Sequence, residues 1–266
     1  MVEFASSFRS IPPDASPQPQ DSITTSHVLI YSVMHPETSI QALPVELVSS
    51  EGAQSALLSI ADAVIAGWTG RDAEAVEKHI LELEKLGVPR PASTPIFYRV
   101  AASRLTTAGE IQVVGESSSG EVEAIYVQHD GALWVGLGSD HTDREVETYG
   151  ITVSKQVCDK PVAPMLWPYS ELEKHWDQII LRSYAITDGE RTLYQEGTLA
   201  AMLPPDDLIA RYSEAGLSEG TLMFGGTLAT LGEVTPADRF EIALEDPVLH
   251  RTIEHGYNVK SLPIRG

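Results

Sequence analysis

Apolar and polar positions alternate differently in the two halves of the chain. From Ile96 onward the alternation is short and mostly of period two. IFYRVA (96–101), EIQVVG (110–115), EVEAIYV (121–127) and ALWVGLG (132–138) read as strands. ITVSKQV (151–157), QIILRSYAI (178–186), TLMFGGTL (221–228) and RFEIALE (239–245) continue the series. Asp130–Gly131 and Asp188–Gly189 sit between such runs, and Asp-Gly suits the tight turn of a hairpin. A short helix is expected near Asp143–Thr148, and PPDDLIARYSEAG (204–216) is a second, opened by proline and aspartates and closed by glycine. The first half reads more helical. VLIYSV (28–33) and LPVELV (43–48) are strand candidates. AQSALLSIADAVIAGW (53–68) is rich in alanine and leucine and predicts a helix. AEAVEKHILELEKLG (73–87) predicts another, with Thr69 or Asp72 as cap and Gly87 as stop. Residues 1–26, dominated by Pro, Ser, Asp and Gln, are expected to form a flexible tail. The expected organisation is α+β: the tail, an N-terminal α/β segment over 27–93, and a β-rich domain over 94–266.

Composition narrows the partners. The chain has 266 residues, 42% of them hydrophobic, enough for a core. Its 18 Lys and Arg face 38 Asp and Glu, a net charge of −20. Such a chain repels phosphate backbones and anionic membrane surfaces, so neither nucleic acid nor membrane is an expected partner. No apolar run approaches the roughly 18–20 residues of a membrane span, and the N-terminus lacks the pattern of a secretory signal. A cytoplasmic location is expected. Cys158 is the single cysteine, which excludes an internal disulfide and any cysteine-rich metal site.

Candidate chemistry concentrates in four places. Glu121 and Glu123 lie two apart on a strand, so both face the same way; two carboxylates this close favour solvent or a shared hard cation. GLGSDHTDRE (136–145) packs Asp140, His141, Asp143 and Arg144 behind a strand. His141 is a candidate general base and Asp140 a candidate ligand, although Thr142 or Asp143 could simply cap a helix. Ser139 lacks the Gly-x-Ser-x-Gly setting of a strained nucleophile. Lys155 and Lys160 are scarce cations suited to a substrate carboxylate, whereas Cys158 beside them reads as a small core residue. Gly225–Gly226–Thr227 ends an apolar strand, where a ligand could approach the backbone closely. His175, next to Trp176, reads as a packed histidine.

Taken in order, TPIFYR, GEVEA, YGITVSKQ, LEKHWD, TDGERTLYQEG, PDDLIARYSEAG and LSEGTLMFGGT resemble the C-terminal catalytic domain of the fumarylacetoacetate hydrolase superfamily, over roughly Thr94 to Pro263. The subgroup resembles the DUF2848 branch. The resemblance implies a mixed β-roll, a homodimer, and a divalent cation, Mg²⁺ or else Mn²⁺ or Ca²⁺. It implies a hydrolase or lyase acting on a small 2-oxo or 1,3-dicarbonyl acid. On this pattern Glu121 and Glu123 match the metal-binding Glu-x-Glu. Lys174 matches a lysine that helps hold metal or substrate. Thr227, with Gly226 before it, matches the Gly-Thr that contacts the substrate carboxylate. Aligning ITVSKQV with the family's Thr-x-x-Asn-Asp strand puts Lys155 and Gln156 where the third metal ligand is expected. Gln156 could offer an amide oxygen there, Lys155 could replace part of the cation's charge, and Asp140 or Asp143 could supply the missing carboxylate. His141 would activate water. Three readings stay open: a metal-dependent enzyme, a metal-free or non-catalytic relative that kept a small-acid pocket, and metal-free acid/base chemistry by Asp140 and His141 with Lys155.

Overall fold

The computed structural model describes residues 40–85 and 90–265. The expected tail, the 28–33 strand and the Gly87 helix stop lie outside them. Along the chain run β1 (Gln41–Ser49), β2 (Gly52–Ile60), β3 (Asp62–Gly67), α1 (Ala73–Lys85), β4 (Ile96–Val100), β5 (Glu110–Val114), β6 (Val122–His129) and β7 (Ala132–Ser139). There follow α2 (Arg144–Glu147), α3 (Ile151–Val157), β8 (Met165–Pro168), β9 (Ile180–Thr187) and β10 (Glu190–Thr198). The chain closes with α4 (Pro205–Tyr212), β11 (Thr221–Thr227), β12 (Arg239–Asp246) and β13 (Arg251–Leu262).

Eight strands form one mixed sheet in the order β2-β1-β8-β7-β6-β11-β3-β4, and five form a second, β10-β9-β12-β13-β5. Strand β6 shows how the layers divide. Val122, Ala124 and Tyr126 point into a core shared with Leu181, Ile242, Leu244 and Ile253 of the second sheet. Ile125 and Val127 point the opposite way, into a second core with Leu43, Leu58, Ile65 and Phe224. Period-two alternation thus buries both faces of this central strand. The two Asp-Gly hairpins form as expected, with Asp130 and Asp188 at φ 50° and 52° before their glycines.

Two elements correct the sequence reading. Residues 53–68 are strands, not a helix. β2 pairs in register with β1 from Gln41↔Ile60 to Ser49↔Gly52. β3 lies between β11 and β4, and its Ala63–Ala66 are all buried. Alanine's helical preference is worth only tenths of a kcal/mol per residue, about what one cross-strand contact can override. Conversely, ITVSKQV is helix α3, not a strand. Ile151, Ser154, Lys155 and Cys158 face inward at the i, i+3, i+4, i+7 spacing of a helix. Strand β13, with its alternating Ile253, Tyr257 and Val259, was not anticipated at all. No described helix is long and apolar enough to cross a membrane.

Candidate active site

The site stands where β6 begins and β7 ends. These antiparallel neighbours pair Val122 with Ser139, which sets Glu121 beside Asp140; Asp140 N–H donates to the Glu121 carbonyl at 2.9 Å. Two residues into β6, Glu123 pairs with Thr227 at the end of β11. Carboxylate oxygens of Glu121, Glu123 and Asp140 therefore lie within 4.8 Å of one another, close enough to share one cation. Glu121 keeps 21% of its side chain exposed, whereas Glu123 and Asp140 are buried.

Three cations face this trio. Lys155 Nζ, reaching in from α3, hydrogen-bonds Asp140 Oδ2 and lies 3.6 Å from Glu121 Oε2. The buried Lys160 Nζ is 3.1 Å from Asp140 Oδ1 and also donates to the His141 carbonyl. Arg144, opening α2, stands 3.1 Å from Glu121 Oε1 and equally near Glu147. Burial alone would raise the Asp140 carboxyl, but the two ammonium groups outweigh it and hold the group at about 2. Burial likewise works against the Lys155 charge, yet Asp140 and Glu121 lift its ammonium above the ordinary lysine value. Glu123 goes the other way. Burial, then the Asp140 charge, push its carboxyl well above the ordinary glutamate value, favouring the protonated acid.

A polar network supports the trio from within. Ser118 Oγ lies 2.9 Å from His141 Nε2, Tyr257 Oη 3.1 Å from His141 Nδ1, and Ser139 Oγ 2.8 Å from Tyr257 Oη; Ser139 Oγ in turn accepts Glu121 N–H. His141 is buried with both ring nitrogens engaged, and desolvation, assisted by Lys160, pulls its pKa down to about 3. Such an imidazole stays neutral and orients its neighbours; it is not placed as a water-activating base. Gly226 N–H donates to Glu123 Oε2 at 2.8 Å. Its φ of +99°, and a Cβ position only 1.8 Å from Thr69 Oγ1, leave room for glycine alone. Thr227 Oγ1 donates to the Val122 carbonyl and accepts from Gln195, whose own Oε1 accepts Val122 N–H. Gln195 thus ties β10 to β6.

The structure does not gather the other candidates. Successive helical residues diverge by about 100°, so Lys155 reaches the carboxylates while Gln156 Oε1 accepts Ala101 N–H instead. Lys174 is exposed and in no ion pair among the described residues. Asp143 caps α2, accepting Glu145 and Val146 N–H. His175 pairs with Asp246 at 2.9 Å, and Cys158 is buried with its thiol pushed up to about 11 by desolvation. Ser118, Tyr257 and Gln195 escaped the sequence reading, as did the pairing of Arg144 with Glu121. The alternation in RTIEHGYNV was the available signal for Tyr257.

The donor set is of the hard-oxygen kind that suits Mg²⁺, Mn²⁺ or Ca²⁺. As arranged, however, it does not fit a divalent ion. The ammonium of Lys155 already bridges two of the three carboxylates, and the third favours its proton.

The two packed β-layers define a class, the fumarylacetoacetate hydrolase fold. Solved structures share it. A candidate fumarylpyruvate hydrolase from Burkholderia cenocepacia superposes with a TM-score of 0.56 at 20% identity, covering 85% of this chain and 97% of that one. A candidate fumarylacetoacetate isomerase/hydrolase from Oleispira antarctica gives 0.57 at 18%, covering 81% and 99%. A 2-keto-3-deoxy-D-arabinonate dehydratase, complexed with magnesium and 2,5-dioxopentanoate, gives 0.57 at 13%, covering 79% and 77%. At these identities the likeness is one of fold. Within that fold the chain belongs to the family described as "Protein of unknown function (DUF2848)", whose profile matches residues 66–257. No curated protein matches the chain.

Proposed function

We propose that the chain is a hydrolase or lyase of small 2-oxo or 1,3-dicarbonyl carboxylic acids, with the Glu121–Glu123–Asp140–Lys155 cluster as its reaction centre. The observation that carries this is the convergence of three carboxylates and a buried ammonium at one solvent-reaching point of a fumarylacetoacetate hydrolase fold. Buried charge beside an acid with a raised pKa is the usual mark of a chemical site.

The chemistry follows from the charges. Breaking the C3–C4 bond of a 2,4-dioxo acid sends the bonding pair into the 2-oxo acid fragment as an enolate. Lys155 would meet the oxyanion that develops there, a preorganised contact in a poorly hydrated site. Glu121, the carboxylate of the trio that reaches solvent, would take the proton of the attacking water, whose oxygen joins the acyl fragment. Glu123, favouring its acid form, would give its proton to C3, and the proton taken by Glu121 would pass to Glu123 to reset the pair. One water is consumed, and the products are a 2-oxo acid and a carboxylic acid. Decarboxylation would use the same enolate. His141 and Tyr257 position the Ser139–Glu121 segment.

A panel of 2,4-dioxo acids, followed by loss of their enol absorbance, tests the reading, with oxalate as a mimic of the planar enolate. Turnover inhibited by oxalate, and slowed about 10²–10³-fold in Glu121→Gln, is the expected result. A panel left untouched, with no oxalate-induced thermal shift, would contradict it.

A further inference from the structure

We infer that Lys155 is the resident cation of this centre: its ammonium occupies the place a divalent ion would take, and removing it converts the trio into a metal-binding site. For its functional weight this rests on the oxo-acid reading. Its test reads metal binding and needs no substrate, so either idea can fail without the other.

Three observations carry it. The first is occupancy. Five carboxylate oxygens of the trio already lie within 3.6 Å of a nitrogen: Glu121 Oε1 near Arg144, Glu121 Oε2 and Asp140 Oδ2 near Lys155, Asp140 Oδ1 near Lys160 though accepting no hydrogen bond, and Glu123 Oε2 at Gly226 N. A hard divalent ion needs about six oxygens, mostly free of competing donors.

The second is charge. Lys155, Lys160 and Arg144 already stand against Glu121 and Asp140, with Arg144 shared with Glu147. A divalent ion added to that set would sit among three like charges in a poorly hydrated pocket.

The third is construction. Lys155 is not a surface side chain that has drifted inward. Its side chain is only 9% exposed, it stands on the buried stripe of α3 beside Ser154, and its Nζ lies 5.8 Å from the centre of the Tyr98 ring. An ammonium held over a ring face and against two carboxylates is fixed in place. The helix matters here. As a strand, 151–157 would have presented Gln156 and Lys155 to opposite sides; as a helix it delivers the lysine alone. The centre would thus meet a substrate oxyanion with a hydrogen-bond donor of single charge, and its chemistry would survive chelation.

The experiment uses the full chain stripped with a chelator. Mn²⁺ binding is read by electron paramagnetic resonance, and the thermal midpoint is read with Mg²⁺ and with Mn²⁺ at millimolar concentration. Wild type is compared with Lys155→Met, which keeps the stem but not the charge, with Glu123→Gln, and with the double variant. The inference expects no Glu123-dependent Mn²⁺ binding in the wild type. It expects Lys155→Met to bind Mn²⁺ more than about tenfold tighter, with a midpoint raised by linkage and the gain lost in the double variant. Stoichiometric Mn²⁺ binding by the wild type that disappears in Glu123→Gln would overturn it. So would a folded Lys155→Met that binds no better than wild type. If circular dichroism shows Lys155→Met unfolded, the wild-type and Glu123→Gln comparison decides alone.

Discussion

Two charge networks of similar chemistry lie in very different surroundings. On the second sheet, Arg182 bridges Glu196 and Glu245, Arg191 pairs with Glu241, and Arg239 joins the same Glu241. Arg191 also stacks 3.2 Å over the Tyr184 ring. All of these but Glu196 line an open cleft of about 510 Å³, and the charged side chains remain between a quarter and a half exposed. The centre at Glu121, Glu123 and Asp140, with Lys155, Lys160 and Arg144, has as many charged groups, but Glu123, Asp140 and both lysines are buried. On the surface, water screens each pair, and rotamer entropy opposes most of what remains. In the centre the same attractions are unscreened, and they hold one carboxyl near 2 while leaving its neighbour inclined to keep a proton. Burial, rather than the number of ion pairs, separates a site from a decorated surface, so the cleft is not assigned the chemistry.

The largest break in this comparison should come from Asp140→Asn. It leaves two buried ammonium groups facing a neutral amide, and should cost about 3–5 kcal/mol of unfolding free energy in urea titration. A loss below about 1 kcal/mol would mean that water reaches the lysines freely. Next comes Gly226→Ala. Its Cβ would collide with Thr69 Oγ1 in a left-handed backbone, and a loss of about 1–3 kcal/mol is expected, together with weakened support of Glu123. An unchanged midpoint would show that this turn is slack.

His141 sharpens the comparison through pH. Its imidazole is held at about 3 in the folded chain against an ordinary 6.5. Between those values only the unfolded chain takes the proton, so stability falls as pH drops through the window, by at most about 1.4 kcal/mol per pH unit. Glu123, with its raised pKa, pulls in the opposite direction, so the useful quantity is a difference. His141→Gln should show a shallower decline than wild type between pH 6.5 and 4, the range in which the depressed imidazole acts. Identical slopes would place the proton elsewhere. The smallest effect belongs to the surface: Arg191→Ala should change stability by less than about 1 kcal/mol and leave oxo-acid turnover unchanged.

Much of this was legible along the chain, and the exceptions have physical reasons. Period-two alternation located β6, β7, β9, β11 and β12, and Asp-Gly marked both hairpins. Glu121 and Glu123 declared themselves by spacing, and Asp140 by the polar density behind an apolar strand. The alanine-rich 53–68 segment misled because β3, buried on both faces, carries no alternation to read, while β2 is a mostly exposed edge strand with few buried positions to mark its period. ITVSKQV misled because seven residues hold less than two full helical turns, too few to tell one period from the other. That single misreading also moved the third carboxylate: a strand at 151–157 offers Gln156, whereas the helix turns it toward Ala101 and brings Lys155 to Asp140. Tyr257 and Gln195 come from the second sheet, and their meeting with β6 and β7 is a consequence of packing that no local pattern contains.

The central claim is that the buried trio and Lys155 form a reaction centre for small oxo-acids. Its most direct test is the rate of 2,4-dioxo acid cleavage by wild type, by Glu121→Gln and by Arg191→Ala under one set of conditions. The account predicts cleavage by the wild type and by Arg191→Ala at the same rate, with Glu121→Gln slower by about 10²–10³-fold. Equal rates in wild type and Glu121→Gln, or loss of cleavage in Arg191→Ala, would contradict it and move the chemistry to the second sheet.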